Sequence, residues 1–247
     1  MKLTIITICW NAIATLEHTI RSVLAQTRKP DEYLFVDGGS SDGTIELIAK
    51  LSPELRSAGI ATRLLPQHRN PGEAGIPSAW NQGIALATGD VIALLNADDW
   101  LEPNCLQDVE HAFADMPSPG LVIAPIRFIG QDNQVTRVKR PAPLWQCAFR
   151  MPVPHPGTFV HASIYQQLGT YDTRYKISAD YDFIWRCHKA RIPLKILPTP
   201  LVNMQLGGLA NSSRALARRE TLQIARRHSR LPILPWLAWL LRTITKR

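Results

Sequence analysis

The sequence predicts an α/β protein in which helices cover both faces of one parallel sheet. Over the first hundred residues, short β-branched runs alternate with segments whose apolar residues recur at helical spacing. The short runs are mostly apolar, which is typical of strands that are buried on both faces. The chain has 247 residues, of which 45% are hydrophobic and 19% charged, and this composition excludes a largely disordered protein.

The first half of the chain supplies four predicted strands and three predicted helices. The strands are predicted at 3–8, 33–37, 61–65 and 91–95. The helices are predicted around 16–24, 45–51 and 78–87, where apolar side chains fall on one helical face. In such sheets ligands bind beyond the carboxyl ends of the strands, so 9–11, Asp37 and 96–99 are expected at one edge.

The pattern changes after about residue 120. Two short strand-like runs flank a polar turn and predict a hairpin, at 122–124 and 135–138. The proline-rich stretch 141–156 is predicted to be a loop. The remaining predicted elements are helices near 162–168 and 181–189, a strand at 194–197 and a polar, basic helix over 212–229.

The formal net charge of +8 belongs to one end of the chain. From residue 203 onward nine basic residues face a single acid, Glu220, whereas residues 1–202 are neutral as a whole. The bulk figure, with a pI near 9.6, suggests nucleic-acid binding. Once the charge is located, it describes a neutral body with a cationic tail.

Cysteine usage and hydropathy indicate a reducing, cytosolic setting. The four cysteines are far apart and form no CxxC pair, so they predict neither a disulfide framework nor a zinc site. The first residues reach a polar Asn11 without a cleavage site, and we interpret them as a strand and not as a signal peptide. No apolar run approaches the roughly 20 residues that span a bilayer. The longest, from Leu231 to Leu241, contains Pro232 and Pro235.

The strongest local motif is the segment 94–100, where an apolar strand opens onto Asp98 and Asp99. Adjacent carboxylates at a strand end suit a hard divalent cation that shares its ligands with a phosphate. Equally, Asp99 could cap a helix that starts near Pro103, with no metal.

Two further acidic motifs have similar alternatives. Asp37 ends the second strand beside the glycines of 38–43, where it could bind a nucleotide or form an ordinary capped turn. The glycines do not have the G-x-G-x-x-G arrangement, which argues against a dinucleotide-binding fold. Asp180 begins a predicted helix, where it could be a helix cap or a general base at a pocket.

In their order, these motifs resemble family 2 glycosyltransferases. The resemblance runs from about residue 3 to about residue 215 and is closest to bacterial enzymes that build surface polysaccharide, such as colanic-acid-type transferases. The matching segments are 5–11, 16–17, 22–27, 36–44, 75–84, 87–90, 96–99, 155–159, 168–172, 178–186 and 207–212.

The resemblance implies a GT-A fold, a nucleotide-diphosphate sugar as donor, Mn²⁺ or Mg²⁺ as cofactor and inversion at the anomeric carbon. It implies that Asp180 is the catalytic base and that Asp98 binds the metal. The residues implied in nucleotide-sugar binding are Trp10, Asn11, Glu17, Asp37, Asn96 and Asp98. His155 is a candidate late ligand to the metal or the diphosphate, with a structural loop histidine as the equal alternative. The implied domain covers 1–215, with a nucleotide-binding half at 1–100 and an acceptor half at 101–215.

Three residues depart from the family pattern. Asn96 replaces the first acid of the usual D-x-D, so it brings a hydrogen-bonding amide without charge. Gly38 replaces a second acid after Asp37, which leaves fewer side chains to recognise the base. Ala179 replaces the Glu that often precedes the catalytic Asp180. Activity is still expected because Asp180 remains, but a nucleotide-sugar-binding protein without catalysis is the first alternative.

Residues 216–247 form a predicted basic, tryptophan-containing helical extension. The apolar segment 231–241 has two tryptophans and is flanked by cations, which suits a helix in a membrane interface. We therefore expect an enzyme at the cytoplasmic face of a bacterial plasma membrane, acting on a saccharide or a lipid-linked saccharide. Alternatively, a C-terminal helix packs Trp236 and Leu240 on the body and its arginines are merely solvated, or the tail forms an oligomer contact. A nucleic-acid-binding module is less favoured, because the tryptophans cluster in an apolar run and are not interleaved with the cations.

Overall fold

The computed structural model of the chain describes residues 1–73, 75–206 and 214–229. The predicted α/β class is confirmed. The first half contains β1 (Leu3–Cys9), α1 (Ile13–Leu24), β2 (Glu32–Asp37), α2 (Thr44–Ser57), β3 (Ala61–Pro66), α3 (Gly75–Leu86), β4 (Val91–Leu94), β5 (Asp99–Leu101) and α4 (Cys105–Ala114). The second half contains β6 (Leu121–Ile123), β7 (Ile126–Ile129), β8 (Val135–Lys139), a 3-10 helix (Leu144–Ala148), β9 (Thr158–His161), α5 (Ala162–Leu168), α6 (Ala179–Lys189), β10 (Leu194–Ile196), β11 (Val202–Gln205) and α7 (Arg214–His228).

The central sheet has seven strands in the order β10-β6-β9-β4-β1-β2-β3. Strands β1 to β4 are parallel to one another, as predicted, and β6 and β10 are parallel to them. The exception is β9, which runs antiparallel between β4 and β6. The chain therefore enters β9 at the same edge of the sheet at which β4 ends.

Each face of the sheet carries its own apolar core. Along β1 the side chains alternate, so that Leu3 and Ile5 join one core and Ile6 joins the other. On the first face, Leu16 and Ile20 of α1 are fully buried, which confirms the predicted apolar stripe of this helix. The two cores fix the sheet between helices and hold its carboxyl edge in place.

A second sheet has four strands in the order β5-β11-β7-β8, and the sequence analysis did not predict it. The predicted hairpin is wrong in its first strand, because 122–124 belongs largely to β6 in the central sheet. The strand that pairs with β8 is β7, which begins at Ile126. Two strand-like runs, 122–124 and 126–129, lie close together in the sequence, and the polar turn alone does not show which of them pairs with β8.

Helix α7 crosses the predicted domain boundary at residue 215 and packs against the body. Ile224 and Ala225 are buried in the same core as Phe183 of α6. Up to His228 the basic stretch is therefore a packed helix. The alternative in which Trp236 and Leu240 pack on the body lies outside the described residues. The tryptophan-containing segment 231–241 and the glycine segment 207–212 lie outside the described residues.

Candidate active site

Three neighbouring parallel strands bring the predicted site segments to one edge of the central sheet. β1 lies between β2 and β4, and the three strands end at Cys9, Asp37 and Leu94. The backbone N–H of Gly38 donates to the carbonyl of Cys9 at 2.8 Å, so the turns after β1 and β2 are in contact. We call this region, where β1, β2 and β4 end, the carboxyl edge.

The loops after β1 and β2 are joined by side-chain hydrogen bonds. Asn11 has the left-handed φ of 49°, and its side-chain Oδ1 accepts from the Ser41 N–H at 2.9 Å. Its own N–H donates to the Ser40 hydroxyl at 2.8 Å, and Asp42 accepts from the Ile13 N–H at 3.1 Å. Asn11 thus acts in the structure as a link that fixes both loops together.

Trp10 stands at the carboxyl edge with 68% of its surface exposed. An indole this open, on a loop that is held rigidly, can stack on a planar ring. Glu17, in contrast, lies on the exposed face of α1, where it pairs with Arg21 at 3.3 Å. Its implied role at the nucleotide stays a prediction.

Asp37 is buried, and both of its carboxylate oxygens accept hydrogen bonds within its own turn. Oδ2 accepts from the N–H groups of Gly39 and Ser40, each at 2.9 Å, and Oδ1 accepts from the Ser40 hydroxyl at 2.5 Å. The turn that Asp37 organises is the one that Asn11 contacts. These bonds agree with the capped-turn interpretation and leave the role in base recognition as a prediction.

The two acids after β4, Asp98 and Asp99, differ in how deeply they are buried. Asp98 is partly buried, and burial raises the pKa of its carboxyl. Asp99 is fully buried in β5, and burial together with the charge of Asp98 raises its pKa well above the usual range. Asn96 donates to Asp99 Oδ2 at 2.9 Å, while Asp99 Oδ1 has no hydrogen-bond partner among the described residues.

The alternative in which Asp99 caps a helix is wrong. Asp99 is the first residue of β5 and pairs in register with Met204 of β11, whereas α4 begins only at Cys105. Two carboxyl groups that burial disfavours as anions, one with an unpartnered oxygen, form a place where a cation would be stabilised. Asn96 supports this pair through a hydrogen bond and adds no charge of its own.

His155 lies three residues before β9 and therefore near the carboxyl edge. Its ring centroid is 4.4 Å from that of Trp80 on α3, and its Nε2 is buried without a partner in the described part of the chain. Burial lowers the pKa of His155, an effect that Asp180 opposes. A neutral imidazole with a free ring nitrogen is a possible ligand, so the role at a metal or diphosphate stays a prediction.

Asp180 lies in the first turn of α6, partly exposed, and its Oδ1 accepts from the Tyr181 N–H at 2.8 Å. Lys139, at the end of β8, donates to the carbonyl of Val153 at 3.2 Å. Burial lowers the pKa of Lys139, and the charge of Asp180 opposes this shift. The structure therefore brings the Asp180 carboxylate, the partly buried Lys139 and His155 within electrostatic range of one another.

Lys139 and the partners of α6 were missed by the sequence analysis. Lys139 is one of several cations in 135–140, and the pattern does not show which of them turns inward. Glu220 accepts three backbone N–H groups just before α6, although it lies forty residues further along the chain. One signal was available, since Glu220 is the single acid in an otherwise basic stretch.

The described residues hold no cluster of three or more His, Cys, Asp or Glu side chains that could alone bind a metal ion. No helix in 1–73, 75–206 or 214–229 is both long and apolar enough to cross a membrane. The four cysteines are buried and free, and burial followed by the charge of Asp37 raises the pKa of the Cys9 thiol to about 12.

The mixed sheet between two layers of helices is similar to the GT-A fold of glycosyltransferases such as S. aureus TarS. The comparison with protein families then identifies the branch. Residues 4–163 match the model of glycosyl transferase family 2, and the chain belongs to that family.

Curated relatives agree with this assignment. The uncharacterized glycosyltransferase Rv1514c of Mycobacterium tuberculosis (strain ATCC 25618 / H37Rv) is 30% identical over 199 residues, covering 78% of this chain and 71% of the relative. The PGL/p-HBAD biosynthesis glycosyltransferase of Mycobacterium bovis (strain BCG / Pasteur 1173P2) is 30% identical over 183 residues, covering 72% of this chain and 66% of the relative.

Solved structures show the same fold at low identity. Residues 1–349 of Staphylococcus aureus TarS in complex with UDP-GlcNAc superpose with a TM-score of 0.71 at 15% identity, covering 92% of this chain and 65% of that one. The mannosyltransferase PcManGT of Pyrobaculum calidifontis in complex with GDP-Man and Mn²⁺ gives 0.70 at 18% identity, covering 94% and 66%. This chain spans only 39% of the longer TarS chain.

Proposed function

We propose that this glycosyltransferase moves a sugar from a nucleotide-diphosphate donor to an acceptor hydroxyl with inversion, and that Asp180 is the base. The observation that carries the proposal is the position of Asp180 in the first turn of α6, partly open to solvent, with Lys139 and His155 within electrostatic range. A carboxylate in such a place can accept a proton and still be reached by a substrate.

The proposed reaction is a single displacement. The acceptor oxygen attacks the anomeric carbon as Asp180 takes its proton, and the bond between that carbon and the diphosphate oxygen breaks with its electron pair on the diphosphate. One base is sufficient, because the attack occurs on the face opposite the leaving group. Lys139 lies within electrostatic range of Asp180, so its charge is part of the surroundings in which the proposed base acts.

The residues after β4 fit a divalent cation. Asp98 supplies a partly exposed carboxylate, and behind it Asp99 Oδ1 is buried without a partner among the described residues. Oxygen ligands of this kind suit Mg²⁺ or Mn²⁺. When bound, such an ion would neutralise the charge that develops on the departing nucleoside diphosphate.

For the donor, the proposal is a nucleotide sugar that lies along the carboxyl edge. TarS is described with UDP-GlcNAc and PcManGT with GDP-Man and Mn²⁺. In this chain, exposed Trp10 would stack on the base, Asp37 and Asn11 would hold the loops around it, and Asn96 would lie near the ribose. The hydrogen bonds that join the loops after β1 and β2 support this arrangement, because they hold the loop that carries Trp10 in place without help from a ligand.

The proposed acceptor is a saccharide, free or linked to a lipid, at the cytoplasmic face of a bacterial membrane. The described part of the tail supports a charged outer surface, since α7 exposes four arginines. These are Arg218, Arg219, Arg226 and Arg227. Binding to vesicles with anionic lipid, compared with binding to RNA at the same salt concentration, separates a membrane surface from a nucleic-acid surface.

The decisive experiment is a screen of nucleotide sugars for hydrolysis and transfer, with and without Mn²⁺ or Mg²⁺. Asp180→Asn should lower kcat by about 10²–10⁴-fold, because the amide accepts no proton. Asp115→Asn is the matched control, since Asp115 is an exposed carboxylate that pairs with Lys195 far from the carboxyl edge. Normal turnover in Asp180→Asn would refute the mechanism, and donor binding without turnover in the wild type would favour the non-catalytic alternative.

A further inference from the structure

Glu220 is a buried carboxylate on α7 with an unusual set of partners. Its side chain is 5% exposed. Oε1 accepts from the backbone N–H of Lys176 at 2.8 Å, and Oε2 accepts from those of Ile177 and Ser178, each at 2.9 Å. Three consecutive backbone donors thus converge on one carboxylate, which is the arrangement by which backbone nests hold anions.

The segment that Glu220 holds leads directly into α6. Ser178 is the residue before the helix, and Asp180 lies two residues further on, in the first turn. The Ser178 hydroxyl also lies 3.4 Å from the Thr221 hydroxyl and 3.4 Å from the carbonyl of Ala217, both on α7. The start of α6 is therefore fixed to α7 by side-chain and backbone bonds together.

Helix α7 is itself held at its other end. His228 Nε2 lies 2.7 Å from Asp182 Oδ1, and the His228 ring stacks on Trp185 with 5.8 Å between centroids. Between the two ends, Ile224 and Ala225 are buried in the core. Glu220 thus projects from a helix that is anchored on both sides, so its carboxylate is a fixed point for the segment 176–178.

Burying a carboxylate is costly unless hydrogen bonds replace its water. Here three N–H groups do so, and bonds to an ionised acceptor are stronger than neutral ones. The same three N–H groups precede the helix and have no intrahelical partners. The pairing satisfies both sides, and it is specific for a carboxylate because each oxygen must accept.

We propose that Glu220 is a positioning residue, which fixes the segment 176–178 and thereby the direction in which Asp180 meets the acceptor hydroxyl. The inference rests on the proposed function of Asp180 and goes beyond it. It assigns the basic tail helix a role in the chemistry, through the one acid that the helix contains. Glu220 touches neither substrate nor reacting atoms in this role.

The test uses the full chain with Glu220→Gln, Glu220→Asp and Arg226→Gln. In the glutamine variant an amide nitrogen faces at least one of the three N–H donors, so that bond is lost. Aspartate keeps two acceptor oxygens on a shorter side chain and should rescue in part. Arg226→Gln is the matched control, because Arg226 is exposed on the same helix and has no hydrogen bond or ion pair among the described contacts of α7.

Two readouts are measured on folded protein. Hydrogen exchange at the amides of 176–178 should be at least about tenfold faster in Glu220→Gln, and unchanged in the control. The kcat of transfer should fall by about tenfold or more with the donor KM unchanged, because misplacement of a catalytic group affects turnover and not donor binding. Glu220→Asp should lie between the wild type and Glu220→Gln in both.

The outcomes separate the inference from the proposed function. Faster exchange with a normal kcat would overturn the inference, since the segment would then be loosened without effect on Asp180. Unchanged exchange in Glu220→Gln would overturn it as well. A third outcome is that hydrogen exchange follows the expected pattern but neither the wild type nor Asp180→Asn transfers sugar from any donor. This outcome would refute the proposed function, and with it the catalytic role of the contact.

Discussion

Replacing Gly157 by alanine tests whether the backbone beside His155 is packed rigidly against the end of β6. A Cβ at this position would lie 2.3 Å from the carbonyl oxygen of Ala124 and 3.0 Å from Cγ2 of Ile126. The two backbones are also bonded, because the Ala124 N–H donates to the Gly157 carbonyl at 2.8 Å. The carbonyl of Ala124 therefore cannot turn aside without disturbing the end of β6.

The size of the effect follows from these distances. An ordinary contact between a methyl carbon and its neighbours is about 3.5 Å, so the backbones must separate by roughly 1 Å. Overpacking of this kind costs about 1–3 kcal/mol. For a chain of this length, each kcal/mol lowers Tm by about 2–4 °C, and we expect a fall of roughly 5 °C.

The assay is thermal unfolding by circular dichroism, followed by sugar transfer at a temperature at which both proteins are folded. Transfer should fall as well, since the Thr158 N–H donates to the His155 carbonyl at 3.0 Å and couples the shifted backbone to the site. Gly75→Ala is the control, because its Cβ would meet only the end of the flexible Arg69 side chain, at 3.2 Å. If Gly157→Ala had the Tm of the wild type, the two backbones could separate without cost, contrary to this reasoning.

Three further predictions concern buried charges. Because burial raises the pKa of Asp99, the folded protein keeps a proton that the unfolded chain releases above about pH 4. Without added metal, the free energy of unfolding of the wild type should therefore fall as pH rises. The Tm of Asp99→Asn minus the Tm of the wild type should grow from pH 5 to pH 8; a constant difference would contradict this. His228→Ala removes a bond of 2.7 Å to buried Asp182 and should cost about 1–3 kcal/mol in urea unfolding, whereas no loss would show that α7 docks without it. If a cation near Asp180 supports the base, Lys139→Met should lower kcat by about tenfold or more and Lys139→Arg should retain most activity. Equal activity in the wild type and both variants would exclude that role.

The sequence was sufficient for the elements whose pattern is local. Helix α5 was predicted at its observed bounds, and the strands up to β4 lie within a residue or two of their predicted ends. The apolar runs of β1, β2 and β4, which are buried on two faces, and the helices with one apolar stripe are determined by neighbours in the sequence. For the same reason, the carboxyl edge with Trp10, Asp37 and Asp98 could be placed before the structure was known. Strand β3 departs from the prediction, because it lies at the edge of the sheet and is largely exposed.

Features that depend on distant pairing could not be predicted in this way. The second sheet joins β5 to β11, which are separated by about a hundred residues, and nothing local in either strand specifies the other. The predicted partner of β8 is wrong because 122–124 and 126–129 are both strand-like runs, and only tertiary packing distinguishes them. The contact between Glu220 and the segment 176–178 has the same character.

The reversed direction of β9 has a consequence for how such a chain can change its specificity. In a sheet whose strands are all parallel, only the segments that follow strands reach the carboxyl edge. Because β9 is antiparallel, the segment that precedes it, 140–157, reaches that edge too. The buried residues of this segment, among them Cys147, Val153 and Gly157, fix it against the body, so only its exposed positions can change without disturbing β4 or β6. Trp145 and Phe149 are such positions, so this side of the carboxyl edge can acquire new contacts while the strands keep their register.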